Sequence, residues 1–206
     1  MFITLEGPEG SGKTTAIEAT VKKLQELGYE VVRTREPGGT PISEQIREVI
    51  LNKTNTNMDA RTEALLYAAA RRQHLVEKVW PNVREGKIVI CDRYIDSSLA
   101  YQGGARNLGI QNIIDINMFA TDNTWPDLTI LFDIDPEIGL ARISANSQRE
   151  VNRLDLEKLE FHHKVRNTFL ELAKKYPDRI VIVNANQSRE KVSEDTLKII
   201  LSRICK

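Results

Sequence analysis

The chain has 206 residues, 41% of them hydrophobic, with 29 Lys+Arg balanced by 29 Asp+Glu. That is enough apolar content for one well-buried core, and no surplus charge draws the chain to nucleic acid or to an anionic membrane. Two cysteines, Cys91 and Cys205, are too few for a disulfide scaffold, and the opening runs into an apolar segment without a basic leader; the expectation is one domain over residues 1–206, cytoplasmic, with no nucleic-acid or membrane partner.

The first expected element is a strand, Phe2–Leu5, which leads into Gly7-Pro8-Glu9-Gly10-Ser11-Gly12-Lys13-Thr14, with a second threonine at Thr15. This is G-x-x-x-x-G-K-[ST], and each part has a physical task. The glycines let the backbone curl so that successive N–H groups face phosphate oxygens. Lys13 reaches the β- and γ-phosphates, and the Thr14 hydroxyl is placed to hold Mg²⁺. The stretch Thr14–Leu27 is helix-prone, with Gly28 where a C-cap closes it, so a helix dipole points its positive end at the anion. The segment implies binding of a nucleoside triphosphate. Glu9 is anomalous there, since a bound anion repels it. It either accepts a hydrogen bond from a second substrate, binds Mg²⁺ through water, or points to solvent.

A second strand, Glu30–Thr34, ends at Arg35 and a Pro37-Gly38-Gly39 turn. Arg35 either grips a second phosphate bidentately or is solvated beside an ordinary turn, and Arg47 in the next helix is open in the same way. Thr40-Pro41 marks that helix start, and Asn52–Asn57 reads as a polar loop. The helix expected over Asp59–Arg84 places Tyr67 and Arg71 four apart on one face. Together they suit a nucleobase, by stacking and by donation to a carbonyl; separately they suit a core tyrosine and a solvated arginine. The strand Lys87–Cys91 ends in Asp92-Arg93-Tyr94, where a carboxylate can order Mg²⁺ through its waters and an arginine can bridge two phosphates. Ser98 and Gln102 follow at helical spacing with Tyr101 beside them. A carboxamide can pair with an imide edge, donating and accepting at once.

The strand Leu128–Ile134 precedes Asp135-Pro136, a second N-cap and proline pair. Arg142, Arg149 and Arg153 then lie in a polar segment, about 142–153, which reads either as a mobile lid that supplies the cation absent from the phosphate loop beyond Lys13 or as a run of ordinary surface arginines. His162 and His163 read as core and surface of a helix rather than as metal ligands. The last strand is Arg179–Val183. Five β-rich runs alternating with helices imply an α/β fold of the P-loop NTPase type: a doubly wound five-stranded parallel sheet flanked by helices, with its ligand site outside the strands' carboxyl ends.

Taken in order, Gly7–Thr15, Arg35-Glu36-Pro37-Gly38-Gly39, Asp92-Arg93-Tyr94-Ile95-Asp96-Ser97-Ser98 and Ala100-Tyr101-Gln102-Gly103 make the chain resemble the bacterial thymidylate kinases along essentially its full length. The resemblance implies transfer of the ATP γ-phosphoryl to dTMP, giving dTDP and ADP with Mg²⁺, by a homodimer. It implies ATP on Gly7–Thr15, Mg²⁺ on Thr14 and, through water, Asp92, and Lys13, Arg93, Arg142 and Arg153 as the catalytic cations. Arg35, Arg47 and Arg93 would bind the dTMP phosphate, with Pro37 in the same segment. Arg71, Ser98 and Gln102 would read thymine, Tyr101 would pack on deoxyribose, and Glu9 would take the 3′-hydroxyl. Tyr67 departs from the phenylalanine common at the stacking position. A kinase for another deoxynucleotide or deoxynucleoside stays open. A GTPase would need an aspartate that Asn52-Lys53-Thr54-Asn55 lacks, and a non-catalytic regulator would have no need of Lys13, Thr14 and Asp92 together.

Overall fold

A computed structural model describes residues 1–145 and 153–204. Arg149 and most of the expected lid segment lie outside the described residues. Five strands form one parallel sheet in the order β2-β3-β1-β4-β5: β1 Phe2–Glu6, β2 Val31–Arg35, β3 Ile88–Asp92, β4 Leu128–Asp133 and β5 Ile180–Asn184. Each lies within a residue or so of its expected bounds. The inner strands carry near-continuous apolar runs because helices cover both faces. Alternate side chains divide between two cores. Ile3, Leu5, Ile90 and Phe132 pack with Ile17, Leu24 and Ile200 on one face. Phe2, Val89, Cys91 and Leu131 pack with Leu75, Leu99, Val165 and Phe169 on the other. At the edge, Ile182 of β5 remains 47% exposed.

Register decides where the chemistry gathers. Leu5 of β1 pairs Asp92 of β3, and Asp92 in turn pairs Arg35 of β2. The phosphate loop, the Asp92-Arg93 corner and Arg35 therefore leave the sheet along one line, next to the point where strand order reverses around β1.

The helices are α1 Lys13–Glu26, α2 Pro41–Leu51, α3 Ala60–His74, α4 Trp80–Arg84, α5 Ile95–Ser98, α6 Ile110–Thr121, α7 Pro136–Ser144, α8 Leu159–Lys175 and α9 Arg189–Ile204. The expected long helix from Asp59 to Arg84 is present, but it widens to π-helical turns over Leu75–Val79 between α3 and α4. Pro81, one residue beyond Trp80, has no N–H to give back to the preceding turn, so the ladder is interrupted there. A second widened segment, Leu99–Ala105, follows α5 and carries Tyr101 and Gln102. Asp59 caps α3, its carboxylate accepting from the N–H groups of Arg61 (3.0 Å) and Thr62 (3.1 Å). Thr40 and Asp135 stand at their helix starts before proline, but neither side chain caps its helix. Thr40 donates to Ser43 Oγ at 2.9 Å, and Asp135 accepts from Arg166. No helix among the described residues is long and apolar enough to cross a membrane.

Candidate active site

A cleft of about 1380 Å³ opens at the carboxyl ends of the strands, lined by the phosphate loop, by Arg71 and Gln102 and by the turn before α9. At its centre, Lys13 is buried, and its ammonium donates to the carbonyls of Gly7 (2.9 Å) and Pro8 (3.0 Å) and to Ser11 Oγ (3.1 Å). The three N–H groups that would clasp a phosphate thus hold the loop's own curl until an anion arrives. Burial, with Arg93 adding to it, pulls this ammonium down from its ordinary 10.5 to about 8. The unfolded chain keeps that proton to higher pH, so the folded state gains stability as pH rises from about 8 towards 10.5. Phosphate binding runs the other way, because it needs the charge. We expect kcat/KM for ATP to be flat below about pH 8 and to fall as pH rises through that value, measured at saturating acceptor.

The loop also leans on α7. Gly139 meets the Glu9 carbonyl so closely that an added Cβ would overlap it, and Gly10 meets the Gly139 backbone in the same way. Gly139 therefore keeps the loop seated against α7. Gly139→Ala should cost roughly 1–3 kcal/mol by overpacking and raise KM for ATP, checked by urea unfolding and steady-state kinetics.

Asp92 ends β3 beside this loop, and its Oδ1 is buried without a hydrogen-bond partner among the described residues. Arg93 follows with a left-handed backbone, φ 69°, which a non-glycine residue adopts only when its surroundings enforce it. Here Glu6 is the enforcer, accepting from the Tyr94 N–H (2.7 Å) and the Ser97 hydroxyl (2.5 Å). Burial, then the neighbouring Asp96, pushes the Glu6 carboxyl up to about 7. So placed, the Arg93 guanidinium donates to Ser97 Oγ and Glu9 Oε1, both at 3.0 Å, and lies 5.0 Å over the Tyr101 ring. Glu9 also accepts from the Tyr101 hydroxyl at 2.6 Å, and His162 Nδ1 stands 3.6 Å away. Burial alone would raise the Glu9 carboxyl. Arg93, His162 and Tyr101 outweigh it and hold the group far below the usual carboxylate range. Glu9 is thus an ionised acceptor pinned at the mouth of the loop.

Beyond it lies a second pocket. Arg71, 2% exposed, donates from Nε to Glu36 (2.7 Å), from Nη1 to Ser98 Oγ (3.0 Å) and Asn117 Oδ1, and from Nη2 to the Tyr94 carbonyl (2.9 Å). Four of its five N–H groups are committed among the described residues, which leaves one on Nη2 for a ligand. Ser98 and Gln102, both buried, stand one turn apart on the same wall, and Tyr67 lines the cleft half-buried. Arg35 is paired in bidentate fashion with Glu44 (2.7 and 3.1 Å), and Arg47 donates to the Pro37 carbonyl at 2.9 Å. Both arginines line the cleft with Pro37, as do the exposed Thr14 and Thr15.

Glu36, His74 and Cys91 bring ligand atoms within 4.8 Å of one another. Glu36 and His74 belong to a hydrogen-bond chain rather than a metal centre, and the Cys91 thiol stands apart from it, donating to the Arg93 carbonyl at 3.1 Å. His74 uses both ring nitrogens, on Glu36 (2.8 Å) and Thr34 (2.6 Å), and the other Glu36 oxygen belongs to Arg71.

The profile of the thymidylate kinase family matches residues 5–196. The chain belongs to the thymidylate kinase family. It is 63% identical to thymidylate kinase of Clostridium novyi (strain NT) over 94% of this chain and 95% of that one. It is 60% identical to that of Anoxybacillus flavithermus (strain DSM 21510 / WK1), over 97% and 96%. The crystal structure of thymidylate kinase from Ehrlichia chaffeensis superposes with a TM-score of 0.80 at 32% identity, over 97% of this chain and 98% of that one.

Around this cleft, the arginines expected in the lid separate. Arg142, on α7, lines the cleft and donates to the Ala185 carbonyl at 3.1 Å. Arg153 does not line the cleft. It is 5% exposed and donates to the Ile50 carbonyl (3.0 Å) and to Glu63. A buried arginine already holding a carboxylate is an anchor in this arrangement. His162 is buried and His163 faces out to Glu137 at 2.9 Å, matching the core-and-surface expectation. Sequence reasoning missed Glu6, Glu36, Glu63, His74, Asn117 and Gly139. Only Glu36 carried any signal, as part of Arg35-Glu36-Pro37-Gly38-Gly39.

Proposed function

We propose that the two ends of this cleft hold ATP and dTMP for in-line phosphoryl transfer without a general base. As a thymidylate kinase, the chain phosphorylates dTMP to dTDP with ATP as donor. The acceptor is a phosphate oxygen already ionised near neutral pH, so catalysis reduces to alignment and charge neutralisation. Gly7–Thr15 would cradle the donor phosphates, Lys13 their β/γ end, and Arg35, Arg47 and Arg93 the acceptor phosphate, with Arg93 between the two. Arg142 is the lid-side cation at the donor end; Arg153 acts from behind, through Glu63. Glu9 would take the 3′-hydroxyl, Tyr101 the sugar face and Tyr67 the base. Arg71, Ser98 and Gln102 would read the base edge.

Mg²⁺ fits the residues present. Asp92 Oδ1 is a buried carboxylate oxygen without a partner among the described residues, and Thr14, exposed, lines the same cleft. Bound there, the ion would neutralise charge on the β/γ-phosphates.

A homodimer is supported by one face of the molecule. Leu65 is 56% and Phe119 88% exposed beside a groove lined by Ala68, Ala69 and Ile116 on α3 and α6. A face offering both an aromatic knob and an apolar groove suits a second copy related by a twofold axis. A cytoplasmic setting accords with a kinase drawing on pools of free ATP and dTMP.

The observation carrying this reading is the Arg71, Ser98 and Gln102 wall across the cleft from a Lys13 loop. The test is an ADP-release assay with dTMP, dUMP, dCMP, dAMP and thymidine as acceptors. dTMP should be preferred; an equal or higher kcat/KM for dCMP or thymidine would overturn it.

A further inference from the structure

Glu63 is fully buried on α3 and lies behind the cleft wall, not in it. Its Oε1 accepts from Gln102 Nε2 at 2.7 Å and from Arg106 Nε at 3.4 Å; its Oε2 accepts from Arg106 Nη2 at 3.4 Å and from Arg153. Burial alone would raise this carboxyl, but Gln102, Arg106 and Arg153 outweigh it and hold it below the usual range. An ionised carboxylate has no proton to give, so the atom facing it must be the nitrogen of the carboxamide. That leaves the carboxamide oxygen of Gln102, a cleft-lining residue only 1% exposed, as the acceptor available to a ligand.

We propose that Glu63 is a specificity-determining residue: by holding Nε2 of Gln102, it turns the carboxamide oxygen toward the base. The inference rests on the proposed assignment of Gln102 and Arg71 to the base edge. A pyrimidine with an N3–H and a C4 carbonyl then meets an acceptor at Gln102 and the remaining N–H of Arg71. Cytosine, with a bare N3 and a C4 amino group, sets lone pair against lone pair at Gln102 and donor against donor at Arg71. Glu63 touches no substrate. It acts by denying Gln102 the half-turn that would present a donor instead. A rigid polar reader whose partner groups are left unpaired by the wrong ligand discriminates far better than an apolar wall does.

The test compares kcat/KM for dTMP and dCMP in wild type, Glu63→Gln, Glu63→Asp and Arg106→Gln, with ATP saturating. Glu63→Gln can face Gln102 with either end of its own amide. Glu63→Asp keeps the charge opposite Arg106 and Arg153 but withdraws it from Gln102 by one methylene, which guards against a folding failure in the first variant. In both, the dTMP-to-dCMP ratio should fall by about tenfold, the scale of one misdirected hydrogen bond, with KM for ATP unchanged. Arg106→Gln removes two long contacts of 3.4 Å while Arg153 and Gln102 still hold the carboxylate, and should leave the ratio as in wild type. Parallel losses for both nucleotides at an unchanged ratio in the Glu63 variants would overturn the inference, as would an equal fall in Arg106→Gln. A wild type that favours dCMP would instead overturn the substrate reading beneath it. A dTMP-preferring wild type with unmoved ratios in the variants overturns this inference alone.

Discussion

Lys13→Ala is expected to lower kcat by roughly 10²–10³-fold, the range for losing one preorganised electrostatic stabiliser. Its ammonium is the one cation built into the phosphate loop, and burial makes each of its interactions stronger than it would be in water. Its three donors hold the Gly7 and Pro8 carbonyls and Ser11 Oγ in place. Truncation therefore removes charge from the β/γ end and loosens the curl that presents the backbone N–H groups. Both effects fall on the donor side, so KM for dTMP should change less than kcat does. Single-turnover quench at saturating nucleotides measures the chemical step directly. A rate near that of wild type would remove Lys13 from the mechanism and leave the loop as a binding device only.

Arg71→Ala should be the most damaging change on the acceptor side. The substitution leaves the Glu36 carboxylate, 2% exposed, with His74 as its remaining side-chain partner among the described residues and strips Ser98 and Asn117 of a donor. Removing one member of a buried ion pair costs about 3–5 kcal/mol because the surviving charge stays desolvated. Unfolding in urea should register that loss. In whatever fraction stays folded, KM for dTMP should rise well beyond KM for ATP, since the guanidinium's remaining N–H faces the acceptor pocket. A rise confined to ATP would place the base reader on the wrong wall.

These two residues mark how far the sequence could be read. Lys13 sits in a local pattern whose geometry follows from glycine spacing and from the helix behind it. The five strands were legible for a similar reason, because β1, β3 and β4 are buried on both faces and leave near-continuous apolar runs. The Asp92-Arg93 corner was legible as a polar pair closing such a run. What stayed hidden is how carboxylates pair with these groups and hold them still. Glu36 reaches Arg71 across 35 positions, Glu9 reaches Arg93 across 84 and Glu63 reaches Arg153 across 90. No local period encodes such pairs; they exist only once the sheet register has brought distant segments together. Arg153 illustrates the consequence. As a sequence it is one basic residue in a polar stretch, indistinguishable from Arg142. In the fold, Glu63 and the Ile50 carbonyl draw it inward while Arg142 stays at the cleft. Gly139 was silent too, because nothing in α7 itself announces that the phosphate loop will rest on it.

Phosphoryl transfer here requires two nucleotides in one cleft, with the acceptor base at the Arg71 and Gln102 end. A crystal structure with dTMP bound addresses that most directly. The prediction is a pyrimidine ring stacked on Tyr67, its C4 carbonyl toward Arg71, its N3 within hydrogen-bond distance of Gln102 Oε1, and its 3′-hydroxyl on Glu9. A ring lodged instead beside Gln187, Ser188 and Arg189, at the opposite end of the cleft, would contradict it.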